Sequence, residues 1–193
     1  MAKRHPRKLV RTADPASRLR KVLARRTKAE LIDVLVECAR ADRAVLRRLA
    51  AHFDLQAPPD ELVASTRQAI ADATGFDARD INRNFDYDAE AYREVQRNLQ
   101  RLIELGQLRP AMELSLELMA AGSYQVEASD EGLMTDDIEK CLRVVLKALR
   151  KCGLHAAEAR AWCTEMIKRD HVGFLCDQEL RALRQRFQVS RSP

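Results

Sequence analysis

The stretch from Asp88 to Gly122, DAEAYREVQRNLQRLIELGQLRPAMELSLELMAAG, decides the fold. In its first half Tyr92, Val95, Leu99, Leu102 and Ile103 recur at spacings of three and four. That is the period of a helix with one apolar face. Gly106 interrupts the pattern, and glycine just past the last periodic residue is a common helix stop. The following segment, Arg109–Ala121, carries Met112, Leu114, Leu116, Leu118 and Met119 around much of its circumference. A helix apolar on most sides is covered on most sides, so this one is expected to be the most buried element, closed by Gly122. Two helices joined by a one-glycine turn read as an antiparallel pair.

A looser echo follows 47 positions later, from Thr135 to Asp170 with its turn at Gly153. Ile138, Leu142, Val145, Leu149 and Cys152 form a core stripe stepping by four, three, four and three. Asp136 and Asp137 stand at the positive end of that helix dipole and Lys147, Arg150 and Lys151 near the negative end. After Gly153, Ala159, Trp162, Cys163, Met166 and Ile167 define a helix stopping near Gly173. A last helix over Asp177–Phe187 presents Leu180, Leu183 and Phe187. At this offset Gly106 aligns with Gly153 and Met119 with Met166.

Upstream, Asp14-Pro15 is a helix start, followed by a short stripe of Leu19, Val22 and Leu23. Thr27 with Glu30 makes a capping box for a helix through Leu31, Val34, Leu35 and Cys38. Asp42 caps the next helix, with Val45, Leu46, Leu49 and Phe53 expected to face inward. Pro58-Pro59 stops that run, and a further helix from about Asp60 to Ala73 buries Leu62, Val63, Ala69 and Ile70 before Gly75. The Asp/Asn-rich segment FDARDINRNFDYD is the expected divide. The organisation read from these signals is a disordered basic arm over 1–13 and a helical subdomain over 14–75. A linker or short helix over 76–87, a helical-hairpin domain over 88–187, and a disordered tail over 188–193 complete it. Residues 123–134 read as a polar loop.

Composition agrees. Only nine of 193 residues are aromatic, the apolar share is carried by Ala, Leu and Val, and no run alternates with period two as a strand would. The expected class is all-α, built of antiparallel helical hairpins as an α-solenoid or a helical bundle. No segment has the roughly 18–20 uncharged apolar residues of a membrane span. No apolar segment of signal-peptide type follows Met1. Five cysteines, at 38, 141, 152, 163 and 176, lack paired C-x-x-C spacing, and reduced thiols in a cytoplasm are the expectation. The preference for Arg and Ala points to a GC-rich bacterial source.

The net charge of +5 hides an asymmetry: residues 1–28 hold eleven Lys or Arg against Asp14 alone, leaving the remainder at −5. Arg11, Arg18, Arg20, Lys21, Arg25, Arg26 and Lys28 are candidate nucleic-acid contacts, because cations neutralise phosphates. The arm contains no aromatic residue to stack on bases, so such binding would be salt-sensitive and weakly specific. The alternative is a solvated tail, or one that meets the chain's own acidic body.

No phosphate loop, dinucleotide fingerprint or nucleophile elbow occurs. Cys141, Cys152, His155, Cys163, His171 and Cys176 are the residues from which a metal site or an enzyme would have to be built. Cys141, Cys152 and Cys163 occupy core-stripe positions, where free cysteine acts as a small hydrophobe. The acids Asp77, Asp80, Asp86, Asp88 and Glu90 lack the spacing of a calcium loop and read as helix caps. The sequence therefore predicts no catalytic, cofactor or metal residues.

Between residues 88 and 187 the strings Arg101-Leu-Ile-Glu-Leu-Gly-Gln-Leu, Ala111-Met-Glu-Leu, Gly122-Ser-Tyr-Gln-Val and Val172-Gly-Phe resemble helical-repeat regions that accompany SWIM-type zinc fingers in some bacterial proteins. The C-x-C and C-x-H pairs of the finger itself are absent. The same half is similar to tetratricopeptide or HEAT-type helix pairs, its spacing being nearer HEAT lengths. The resemblance implies a partner-binding scaffold. The function expected is a non-enzymatic protein-interaction module, with nucleic-acid binding through the basic segment as the alternative and a metal protein or enzyme using the Cys/His set as the weaker one.

Overall fold

The computed structural model describes residues 14–53, 58–84 and 86–189. The expected arm over 1–13, Arg11 with it, and residues 190–193 lie outside the described residues. Ten α-helices and no strand are present among the described residues, so the protein is all-α. In chain order they are α1 (Pro15–Leu23), α2 (Lys28–Ala41), α3 (Arg43–Phe53), α4 (Pro59–Thr74), α5 (Ala78–Asn84), α6 (Ala89–Glu104), α7 (Leu108–Glu127), α8 (Thr135–Leu149), α9 (Ala156–Arg169) and α10 (Asp177–Val189). They fall into two units, α1–α3 and α4–α10, divided between residues 55 and 56.

In the first unit the helix starts are those read from the sequence. The Asp14 carboxylate accepts from the Ala16 N–H, and Thr27 and Glu30 form the reciprocal capping box. Asp42 accepts from the Ala44 N–H at 2.7 Å. Helices α2 and α3 pack on each other. The expected burial does not follow. No side chain described in α1–α3 is buried, and Leu19, Val22, Leu23, Val34, Leu35, Leu46 and Phe53 are all exposed. Three short helices have too little volume to enclose what their stripes offer, the usual predicament of chains near 40 residues.

The second unit holds the core. Its limits correct the expected divide at 76–87: α4 packs against α6 and α7 and so belongs with the C-terminal helices. Leu62, Thr66, Ala69, Ile70 and Ala73 of α4 are buried there. Helix α6 lies against α4 and α8 and buries Tyr92, Val95, Leu99 and Leu102. Its end is a Schellman motif: Gly106 sits at φ +74°, its N–H donates to the Ile103 carbonyl, and the Gln107 N–H donates to the Leu102 carbonyl at 2.8 Å. Helix α7 has the longest list of buried residues of any helix described, as its all-round apolarity requires.

Two further expectations are corrected. Gly122 does not close α7, which runs on to Glu127 and shortens the expected 123–134 loop. A Cβ at Gly122 would lie 3.1 Å from Ile138 Cδ1, so this glycine is where α8 crosses closely, not where α7 stops. The second turn, at Gly153, does end α8, yet α9 packs on α10 and α7 while α8 packs on α6 and α7. Direct contact between α8 and α9 is slight. The stripe of α8 is covered mainly by α6 and that of α9 mainly by α10, with α7 touching both, so α8 and α9 do not close on each other as a separate hairpin.

Candidate functional site

The second unit carries a surface of aromatic rings at the C-terminal end of α7. Continuation of α7 past Gly122 puts Tyr124 on its outer side, 56% exposed. The Tyr124 ring meets Phe76, from the α4–α5 connection, at a centroid distance of 6.0 Å. It also meets His171 at 6.0 Å in an edge-on arrangement. Both distances are within the range of favourable ring pairs. His171 Nδ1 lies 3.4 Å from Glu127 Oε2, one turn beyond Tyr124.

The loop that delivers His171 is held by backbone bonds. Asp170 accepts the N–H groups of Val172 and Leu175 on separate oxygens, at 3.2 and 2.9 Å. The Ser123 hydroxyl accepts the His171 N–H and donates to the Arg169 carbonyl, tying the loop to α7. Gly173 at φ +75° and Cys176 at φ +50° complete the turn. Leu175 and Cys176 are buried, whereas Phe174 between them and His171 is 52% exposed. A fixed loop thus holds an aromatic side chain in water. Beside it, Arg143 bridges Glu139 and Glu179 at 2.8 and 3.1 Å, and Glu139 also accepts the Cys176 N–H at 3.0 Å. These charges line an open groove of about 460 Å³ with Arg150 and Asp177. Arg143 is ion-paired with both Glu139 and Glu179, one cation against two carboxylates.

The aromatic surface offers shape and polarizable area. The Ser123 hydroxyl is taken up by backbone groups, accepting the His171 N–H and donating to the Arg169 carbonyl. The sequence pattern hides Tyr124, because Gly122 reads as a helix end and places the tyrosine in a loop. Phe174 appeared only as part of a resembling string.

The Cys/His set does not converge. Among the described residues no three His, Cys, Asp or Glu side chains stand close enough to share a metal ion. Burial pushes the Cys141 thiol up to about 12, Cys163 to about 11 and Cys176 to about 12. Each is a protonated thiol at neutral pH, and ligation or attack requires the thiolate. The Cys141 thiol donates to the Tyr92 carbonyl. His155 caps α9 through Nδ1, which accepts the Ala157 N–H. Asp77 and Asp88 cap α5 and α6, as their sequence positions suggest.

In the first unit Arg18, Arg20, Lys21, Arg25, Arg26 and Lys28 are all exposed. Helical spacing puts Lys21 opposite the stripe of Leu19, Val22 and Leu23, with Arg18 at the edge of that stripe, one turn before Val22. Arg25 and Arg26 follow the helix, and Arg26 stands 3.6 Å from Glu30. Among the described residues no helix is long and apolar enough to cross a membrane. Comparison with protein-family models, with curated proteins and with solved structures gives no match to this chain.

Proposed function

We propose that the protein is a non-enzymatic helical interaction module whose second unit binds a protein partner through the Phe76, Tyr124 and His171 rings and through Phe174, which stands on the His171 loop and borders the Arg143 groove. The observation that carries this reading is Phe174, an exposed aromatic residue on a loop fixed by four backbone-directed hydrogen bonds of Asp170 and Ser123. Aromatic side chains on rigid supports lose little entropy on docking, which is why they anchor interfaces. The helical-repeat resemblance of residues 88–187 points the same way. The buried, protonated thiols and the ion-paired Arg143 groove give no comparable support to catalysis.

The test is retention of host proteins on the immobilised full chain, compared with a Tyr124→Ser/Phe174→Ser variant. Both positions are exposed, so Trp162 emission should report an unchanged fold. Stoichiometric retention of a protein by the wild type, lost at least about tenfold in the variant, is expected. Equal retention by both would remove this surface as the binding site.

Nucleic-acid binding is the second reading, supported by the exposed cationic side of α1. It requires retention of duplex or single-stranded nucleic acid that falls steeply with salt and is lost on charge reversal at Arg18 and Lys21.

A further inference from the structure

Three arginines of α8–α10 have an acid four residues upstream and pair with it: Arg143 with Glu139, Arg169 with Glu165 and Arg181 with Asp177, at 2.6–2.8 Å. Arg160 of α9 and Arg184 of α10 have no such neighbour. Three and four residues away stand Ala156, Ala157, Cys163 and Thr164 for the first, and Leu180, Arg181, Phe187 and Gln188 for the second. Both guanidinium-bearing residues are half-buried, and among the described residues neither has a carboxylate partner. They line one open groove of about 500 Å³ along the packing of α9 on α10. Arg184 leans over α9 far enough that its charge offsets part of the effect of burial on the Cys163 thiol. Two like charges partly withdrawn from water, with no counter-charge, cost the folded chain free energy that an anion in the groove would return.

We propose that this groove docks an acidic peptide segment of a partner protein, whose carboxylates take Arg160 and Arg184. An arginine fork holds a carboxylate through two parallel N–H bonds. The rest of the lining selects a peptide among anions. The exposed Thr164 hydroxyl donates to the Arg160 carbonyl at 3.0 Å, so its oxygen still accepts, and the exposed Gln188 amide oxygen is a second acceptor. Main-chain N–H groups of a peptide are donors for both; a phosphodiester linkage has none. Glu165 also lines the groove, and its carboxylate, held by Arg169, repels a run of phosphates. No aromatic side chain lines the groove for a base to stack on. Ala157 and Ala161 put only methyl groups on the α9 side, which lets a main chain approach closely. The groove shares no residue with the aromatic surface around Tyr124, and neither proposal stands or falls with the other.

Hydrogen exchange of the full chain tests it, at about 0.15 M salt, where charges more than roughly 8 Å apart are screened. The probes are a short peptide of alternating Glu and Ala, its Gln–Ala counterpart, and a single-stranded DNA of similar length. Added at up to about 1 mM, the Glu–Ala peptide is expected to slow exchange in α9 and α10, because an occupant joining both helices opposes their local opening. The Gln–Ala peptide and the DNA should leave those helices unchanged. Arg160→Gln/Arg184→Gln should raise the peptide concentration needed for half-protection at least about tenfold while Trp162 emission stays unchanged. Arg18→Gln/Lys21→Gln, in the first unit, should leave the protection in place. No protection of α9 and α10 by the Glu–Ala peptide overturns the proposal, as does protection that survives the Arg160/Arg184 substitutions or is lost with those at Arg18 and Lys21. Equal protection by the DNA overturns it in favour of a nucleic-acid occupant.

Discussion

The Tyr92 hydroxyl of α6 donates to Gln125 Oε1 of α7 at 2.5 Å, with both side chains buried. Gln125 Nε2 in turn donates at 3.2 Å to the Ala73 carbonyl, one of the last carbonyls of α4, which have no partner within their own helix. Three helices are thus joined through one amide, and all its polar ends are paired where water does not reach. Burial of the phenol pushes Tyr92 far above its ordinary range, which keeps the hydroxyl a donor at neutral pH. Tyr92→Phe removes the donor and leaves Gln125 Oε1 buried and unpaired, at an expected cost of about 1–3 kcal/mol. Adding Gln125→Leu should cost less than the two single changes summed, since the orphaned acceptor disappears. Urea denaturation of the four chains checks both numbers; strict additivity would mean that the pair acts through packing alone.

At Gly122 two opposed effects meet. Alanine is about 1 kcal/mol better than glycine within a helix, but a Cβ would stand 3.1 and 3.2 Å from Ile138 Cδ1 and Cγ1. Gly122→Val adds two further methyl groups at a crossing with no room for one, and a loss of about 1–3 kcal/mol is expected. Ile138→Ala, itself costly at a buried site, should cost less in the Gly122→Val chain than in the wild type, because it vacates the contact. Equal costs in the two backgrounds would show that Gly122 is intolerant for its backbone and not for the crossing.

Helix existence, type and most helix starts were legible because their causes are local: Asp14, Thr27 with Glu30, Asp42, Asp77 and Asp88 each satisfy a backbone N–H within a few residues. The Gly106 stop was legible for the same reason. What local pattern could not supply was partner choice. The stripe of α8 looks alike whether α9 or α6 covers it, and Gly122 reads as a stop or as a crossing depending on Ile138, 16 residues away. The stripes of Leu19, Val34 and Leu46 predicted burial, but periodicity states only that a face seeks cover, not that the chain provides it. The aromatic surface was hidden because it joins Phe76, Tyr124 and His171 across two connections.

The three buried thiols make the second unit sensitive to alkali. Their folded values, about 12 for Cys141, about 11 for Cys163 and about 12 for Cys176, are raised by burial above the unfolded value near 9. A raised folded value means that stability is complete below pH 9 and falls as pH rises, because only the unfolded chain releases the proton. Near pH 10 each thiol is expected to cost about 1.4 kcal/mol relative to pH 8, roughly 4 kcal/mol for the three. Cys141→Ala should flatten the dependence by about one third. Denaturation midpoints at the two pH values measure this, and an unchanged slope in the variant would show that thiol ionisation is not the cause.

Trp162 is the sole tryptophan and reports on the second unit alone: it is 5% exposed, and its Nε1 donates to the Met112 carbonyl at 2.9 Å. Far-UV ellipticity, by contrast, counts every helix, including α1–α3 with no buried side chain described. Stability follows buried apolar area, so α1–α3 should melt first. In dilute protein, urea is expected to remove part of the helical signal before the Trp162 emission moves, and the remainder together with it. Coincident transitions would make the chain a single cooperative body.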